Sequence, residues 1–163
     1  MDLSYSAQFV ALRAEAEAKY AHIEKPGIEF WFLGLLKLSE LKGKDVFRLS
    51  EKELAQIDED IASVKEMLKE HEIDSGLMRA RLRHVLKHNA KNESDSVKMY
   101  LGLAYITAGR RNEKKIWAQD LLKVLLEAPT EILKEYLPER WHILLIRRST
   151  DLKRHSTPAT GKK

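Results

Sequence analysis

Residues 28–38 read Ile-Glu-Phe-Trp-Phe-Leu-Gly-Leu-Leu-Lys-Leu, apolar on nearly every side, a pattern carried by a helix that other helices enclose. The stretch 26–36 returns in altered form at 116–126, with Ile116 in the place of Pro26, an offset of 90 positions. In both copies a polar segment leads straight into the apolar helix, so the chain reads as one helical unit used twice. The elements around each copy follow from local signals. A first helix over 6–20 places Phe9, Leu12, Ala16 and Tyr20 on one stripe, with alanines elsewhere that permit close packing. Ser50-Glu51-Lys52-Glu53 forms a capping box, and Leu54, Ile57, Ile61, Val64 and Leu68 follow at alternating spacings of three and four, the apolar seam of a third helix whose other faces are charged. Ile73-Asp74-Ser75 caps a fourth helix reaching about Asn89.

The second unit opens near Ser94 or Ser96, with Val97, Leu101, Ala104 and Ala108 on one face and Gly109 as a stop signal. Its core helix, 116–126, ends at Pro129, and Glu131-Ile-Leu-Lys-Glu135 then echoes Glu66-Met-Leu-Lys-Glu70 at an offset of only 65. The first unit therefore carries about 25 extra residues, placed most simply within 42–64. Pro138 precedes a short apolar helix over 141–146. No stretch alternates with period two, so no sheet is expected. The fold class predicted is all-α: two pseudo-symmetric repeats of a four-helix unit, about eight helices, in a domain over 1–148 with repeats at about 6–91 and 94–148, followed by a basic flexible tail or linker over 149–163.

Composition narrows the setting. A chain of 163 residues buries roughly 70% of its unfolded surface in one domain. The absence of Cys excludes disulfides, thiolate nucleophiles and cysteine-ligated zinc, and makes a reducing cytoplasm the expected compartment. The start lacks a basic n-region, and no run of about 18 apolar residues occurs, so neither export nor a membrane span is expected. The net charge of +4 is uneven: residues 139–163 hold seven basic residues against two acidic ones, leaving the body near neutral. That distribution describes a folded domain with a basic end rather than a nucleic-acid-binding body.

A doubled helical unit whose second helix is almost wholly apolar and is introduced by a short polar motif resembles the N-terminal domain of the Clp ATPases, the unfoldases and disaggregases of the ClpA, ClpB and ClpC type. The likeness covers about 6–146. Pro-Gly-Ile-Glu-Phe at 26–30 stands where that family has Ile-Gly-Thr-Glu-His, with Glu29 in the Glu place and Gly34 in a small-residue place. In the second unit Gln119 replaces the Glu, Asp120 the His, and Leu121, Leu122, Leu125 and Leu126 hold the core places. The stretch 67–79 is similar to the family's third-to-fourth helix junction. Ile28 and Ala118 stand where the family has a capping Thr, and Phe30 where it has His, which marks a divergent member. In the ClpC-like branch the motif's Glu residues contribute to pockets for phosphorylated arginine; only Glu29 is kept, so that specificity is not carried over. The resemblance implies a non-catalytic module that docks adaptor or substrate proteins for a Clp-type ATPase ring, in the same longer chain or in trans.

Candidate partner-binding residues are Glu29, Phe30, Trp31, Trp117, Gln119, Arg79, Arg83 and Lys87. Glu29 and Gln119 lie near helix N-termini, where the dipole favours a carboxylate whatever the function. Trp31 and Trp117 stand near the starts of the two core helices and serve either as groove anchors or as core. Arg79, Arg83 and Lys87 form an i, i+4, i+8 stripe with no acid between 75 and 92, which reads as a phosphate- or acid-binding surface or as an ordinary charged face. That stripe and the tail support the alternative function, binding nucleic acid or phosphorylated ligands. His84 and His88 have metal-ligand spacing but no third ligand in sequence to complete a site, so neither a metal nor any other cofactor is expected. No nucleophile, base and orienting group fall into a catalytic arrangement, and no Walker loop occurs.

Overall fold

The computed structural model describes residues 2–89 and 94–137. Among them it places eight helices: α1 (Tyr5–Tyr20), α2 (Ile28–Leu38), α3 (Gly43–Val46), α4 (Glu51–Glu70), α5 (Ser75–Asn89), α6 (Ser94–Arg110), α7 (Ala118–Glu127) and α8 (Glu131–Tyr136). The all-α class follows the sequence reading. The expected apolar helix over 141–146 and the tail over 149–163 lie outside the described residues.

Helix α2 sits at the centre. All but Lys37 of its eleven residues are buried, and it packs most extensively against α1, with α5, α6 and α7 around it. Gly34 makes the α1 contact possible: a Cβ there would lie 2.7 Å from the Val10 carbonyl oxygen and 3.2 Å from Val10 Cα, atoms of backbone that cannot swing aside. This close approach corrects the expected stripe on α1. The buried face is Ala7, Val10, Ala14 and Ala18, whereas Leu12 and Tyr20 are exposed, Ala16 faces solvent and Phe9 is half-buried against Phe47. Small side chains are on the inside because the two helix backbones nearly touch. On α4 the expected seam holds, with Ile57, Ile61, Val64 and Leu68 buried and Leu54 half-buried.

Two further expectations change. A sheet of two residues per strand exists: β1 (Asp2–Leu3) runs parallel to β2 (Lys115–Ile116), and the Ser4 amide continues the pairing to the Ile116 carbonyl oxygen at 2.9 Å. Two residues per strand are too few to leave an alternation in the sequence. Gly109 is not the stop of α6. The helix runs to Arg110 and is closed by Asn112 at φ 62°, with the Glu113 amide reaching back to the Ala108 carbonyl oxygen. His22, at φ 59°, closes α1 the same way, the Ile23 amide reaching the Ala18 carbonyl oxygen. His22 and Asn112 are 90 positions apart, as are Gly27 and Trp117, the residues that precede α2 and α7. The spacing read from the apolar segments thus extends to helix ends and caps.

Candidate docking crevices

Among the crevices that open between the described helices, two have walls that share the 90-residue spacing. The first, about 180 Å³, is lined by Glu17, Tyr20 and Ala21 from the end of α1 and Phe30 and Leu33 of α2, and is closed by Arg83, His84, Leu86 and Lys87 of α5. The second, about 330 Å³, is lined by Thr107, Arg110 and Arg111 from the end of α6 and its turn, and by Gln119, Asp120 and Lys123 of α7, with Ser63, Glu66 and Met67 of α4 as its far wall. Glu17 and Thr107, Tyr20 and Arg110, Ala21 and Arg111, Phe30 and Asp120, and Leu33 and Lys123 are each 90 positions apart. The chemistry of the two is opposite. Phe30 and Leu33 give the first an apolar floor; Asp120 and Lys123 give the second a polar one.

In the first crevice Glu17 is buried yet ionised partners surround it. Arg83 donates from Nε at 3.0 Å and from Nη2 at 2.5 Å, and Arg13 adds a contact at 3.3 Å from the preceding turn. The hydrogen bond from Arg83 to Glu17 raises the guanidinium pKa still further, and burial opposes it only in part. Of the charged side chains that line the crevice, Arg83 is paired to Glu17 and Lys87 is exposed, so the lining carries a net positive charge. In the second crevice Arg111 holds Asp120 in a two-pronged ion pair, Nε to Oδ1 at 3.0 Å and Nη2 to Oδ2 at 2.8 Å, and Asp120 also accepts the Trp117 amide at 2.9 Å. That hydrogen bond from the guanidinium is again the leading cause of a raised Arg111 pKa.

A second buried carboxylate at the start of α7 also binds elements together. Asp60, only 1% exposed, reaches from α4 to the first turn of α7 and accepts the Ala118 amide at 2.9 Å and the Gln119 amide at 3.0 Å. The Ser6 hydroxyl also donates to it, and Ser6 in turn meets Ser4, which caps α1. Trp117, the residue before α7, supplies no side-chain cap of the kind that a Thr would, so a carboxylate from α4 accepts those amides instead. Burial pushes the Asp60 carboxyl above its ordinary 3.8, and the donors from Ser6, Gln119 and Ala118 pull against that. Sequence reading missed Asp60 by assigning the charged residues of this helix to its outer faces; its place in the seam between Ile57 and Ile61 was the available signal.

The candidate residues divide accordingly. Phe30, Arg83 and Lys87 are brought together in the first crevice, and Gln119 lines the second. Arg79 is drawn to Glu40 at 2.8 Å and lies outside both. The stripe is therefore no open anion surface: its acids come from α1 and from the end of α2, and Lys87 alone of the three has no ion pair shown. Glu29 and Trp31 are buried in α2, and the Glu29 charge, after burial, raises the Tyr100 pKa. The Tyr100 hydroxyl donates to the Ala128 carbonyl oxygen. Trp117 is half-buried, its Nε1 enclosed without a hydrogen-bond acceptor. His84 and His88 stack edge to face with centroids 5.1 Å apart, and among the described residues no three His, Asp or Glu side chains gather as a metal site. Nor, among those residues, is any helix long and apolar enough to cross a membrane.

Comparison of the chain with family models, with curated proteins and with solved structures gives no match.

Proposed function

We propose that this chain is a non-catalytic docking domain that presents adaptor or substrate proteins to a Clp-type ATP-dependent unfoldase in protein quality control. The observation that carries the reading is the first crevice, a cleft between three helices with an apolar floor and a charged mouth, sized for a side chain rather than for a cofactor. The order of sequence motifs supports it, because the crevice is built from the end of the first helix and the start of the apolar one, the junction on which the resemblance to Clp N-terminal domains rests. Weak single contacts suit such a role, since a ring of several copies multiplies them. The alternative, binding of nucleic acid or phosphorylated ligands, loses ground: of the three cations in the stripe, Arg79 and Arg83 are ion-paired to Glu40 and Glu17, and one remaining lysine is too little charge for binding driven by counterion release.

The test replaces the N-terminal domain of a Clp-type ring with the full chain and follows ATP-dependent unfolding of a folded fluorescent reporter protein by its loss of fluorescence. The expected result is a rate above that of the ring lacking any N-terminal domain. A rate equal to that of the truncated ring, with the fused chain shown to be folded by circular dichroism, would defeat the proposal.

A further inference from the structure

The chemical contrast between the crevices goes further than docking in general. We infer that the first crevice binds a partner segment in which one large apolar side chain is flanked by acidic residues, and that the second crevice rejects the same segment; this rests on the docking reading above. Three observations support the choice of ligand. The first is size: about 180 Å³ suits one aromatic or long aliphatic side chain, given that an engineered apolar cavity of about 150 Å³ takes benzene. The second is the floor, where Ala21, Phe30, Leu33 and Leu86 present carbon to the ligand. The third is charge. Glu17 is the one carboxylate in the lining, set against Arg83, which it pairs, and the exposed Lys87, so the lining carries a net positive charge centred on Lys87. A basic flank on the ligand is repelled there, and an acidic one is drawn in.

The second crevice supplies an internal control within the same molecule. Asp120 stands where Phe30 stands and Lys123 where Leu33 stands, so an incoming phenyl ring meets an ion pair whose arginine is still part-hydrated instead of carbon. Burying a ring against Arg111 and Asp120 strips water from charges without giving them a new partner, a cost that selects against the apolar side chain.

The probe is a fluorescein-labelled heptapeptide, Gly-Asp-Glu-Phe-Glu-Asp-Gly, followed by anisotropy with the full chain at low ionic strength. Replacing Phe by Ala in the peptide is expected to weaken binding about tenfold, the loss of one buried ring. Lys87→Glu should weaken the acidic peptide about threefold and improve binding of a version with Lys at the four acidic positions, whereas Lys123→Glu should change neither. Tyr20→Ala, at a side chain 75% exposed and thus harmless to the core, should weaken binding about threefold. Equal affinity for the Phe and Ala peptides, or equal effects of Lys87→Glu and Lys123→Glu, would overturn the assignment. Self-association of the chain that Tyr20→Ala abolishes would overturn it as well, by making the occupant a second copy. Failure here is separable from failure of the docking function: ring activity indifferent to Lys87→Glu and Tyr20→Ala removes the site and leaves the function, and peptide binding without ring activity does the reverse.

Discussion

Asp60→Ala is the sharpest probe of how the helices are held together. The substitution removes the acceptor of two α7 amides and of the Ser6 hydroxyl. Ser6 has a second partner in Ser4 Oγ at 2.9 Å, so the loss falls on the amides. The Ala118 amide is buried and an orphaned buried donor costs about 1–3 kcal/mol, while the half-buried Gln119 amide can reach water and costs less. Relief of a desolvated charge offsets part of this, leaving a net destabilisation of about 2 kcal/mol. In a chain of this length that lowers Tm by about 6 °C. Calorimetry measures the shift, and amide hydrogen exchange at Ala118 and Gln119 reports whether the first turn of α7 has loosened. Glu59→Ala, one residue away on the exposed face, is the control and should stay within about 0.5 kcal/mol of the parent chain. A Tm for Asp60→Ala equal to or above that of the parent chain, with unchanged exchange at Ala118, would refute the capping role.

Other substitutions test other joints. The Asp60 pKa is raised by burial, so between pH 3.8 and the folded value the native chain holds a proton that the unfolded chain has released. Its contribution to stability is full below pH 3.8 and falls as pH rises through the folded pKa, so the penalty of Asp60→Ala in urea titrations should be larger at pH 4 than at pH 7. Gly34→Ala forces α1 and α2 apart at Val10 and should cost about 2 kcal/mol by the same titration. Arg111→Met leaves Asp120, 1% exposed, with only the Trp117 amide; because the Arg111 side chain is itself 35% exposed, the cost should be about 2 kcal/mol rather than that of a fully buried pair. Ser50→Ala dismantles the capping box of α4, in which Ser50 Oγ accepts the Glu53 amide, for about 1 kcal/mol of stability.

What was legible in the sequence was whatever a single helix decides for itself. The seam of α4 could be read because one of its faces meets solvent and the other the core, and Asp74 could be read as a cap because its acceptor lies three residues from the donor, the Leu77 amide, at 2.9 Å. Where two backbones approach closely, burial follows size instead of hydrophobicity, and α1 was misread for that reason: its alanines face α2 and its larger Leu12 and Tyr20 point outward. Long-range charge pairing was invisible. Arg83 meets Glu17 across 66 positions and Arg79 meets Glu40 across 39, so a stripe without nearby acids in sequence is nonetheless largely neutralised in space.

The doubled motif carries the same lesson for the site. Its apolar half marks the core helices α2 and α7, and residues 90 positions apart line the two crevices, whose far walls on α5 and α4 sequence alone did not place. The segment 42–64 has a structural role: Asp60 lies within it and caps the α7 end that Trp117 leaves uncapped, while Phe47 covers Phe9 on α1, with ring centroids 6.2 Å apart. Met99, 90 positions after Phe9, is exposed together with Leu103 and Ile106 on the same face of α6.

Docking in the first crevice is tested most directly by titrating ¹⁵N-labelled full chain with the acidic phenylalanine peptide and mapping the amide shifts. The expected perturbations cluster at Tyr20, Ala21, Leu33, His84 and Lys87 and leave Arg110, Arg111 and Lys123 in place. Shifts centred on Arg110, Arg111 and Lys123, or no shifts at millimolar peptide, would contradict it.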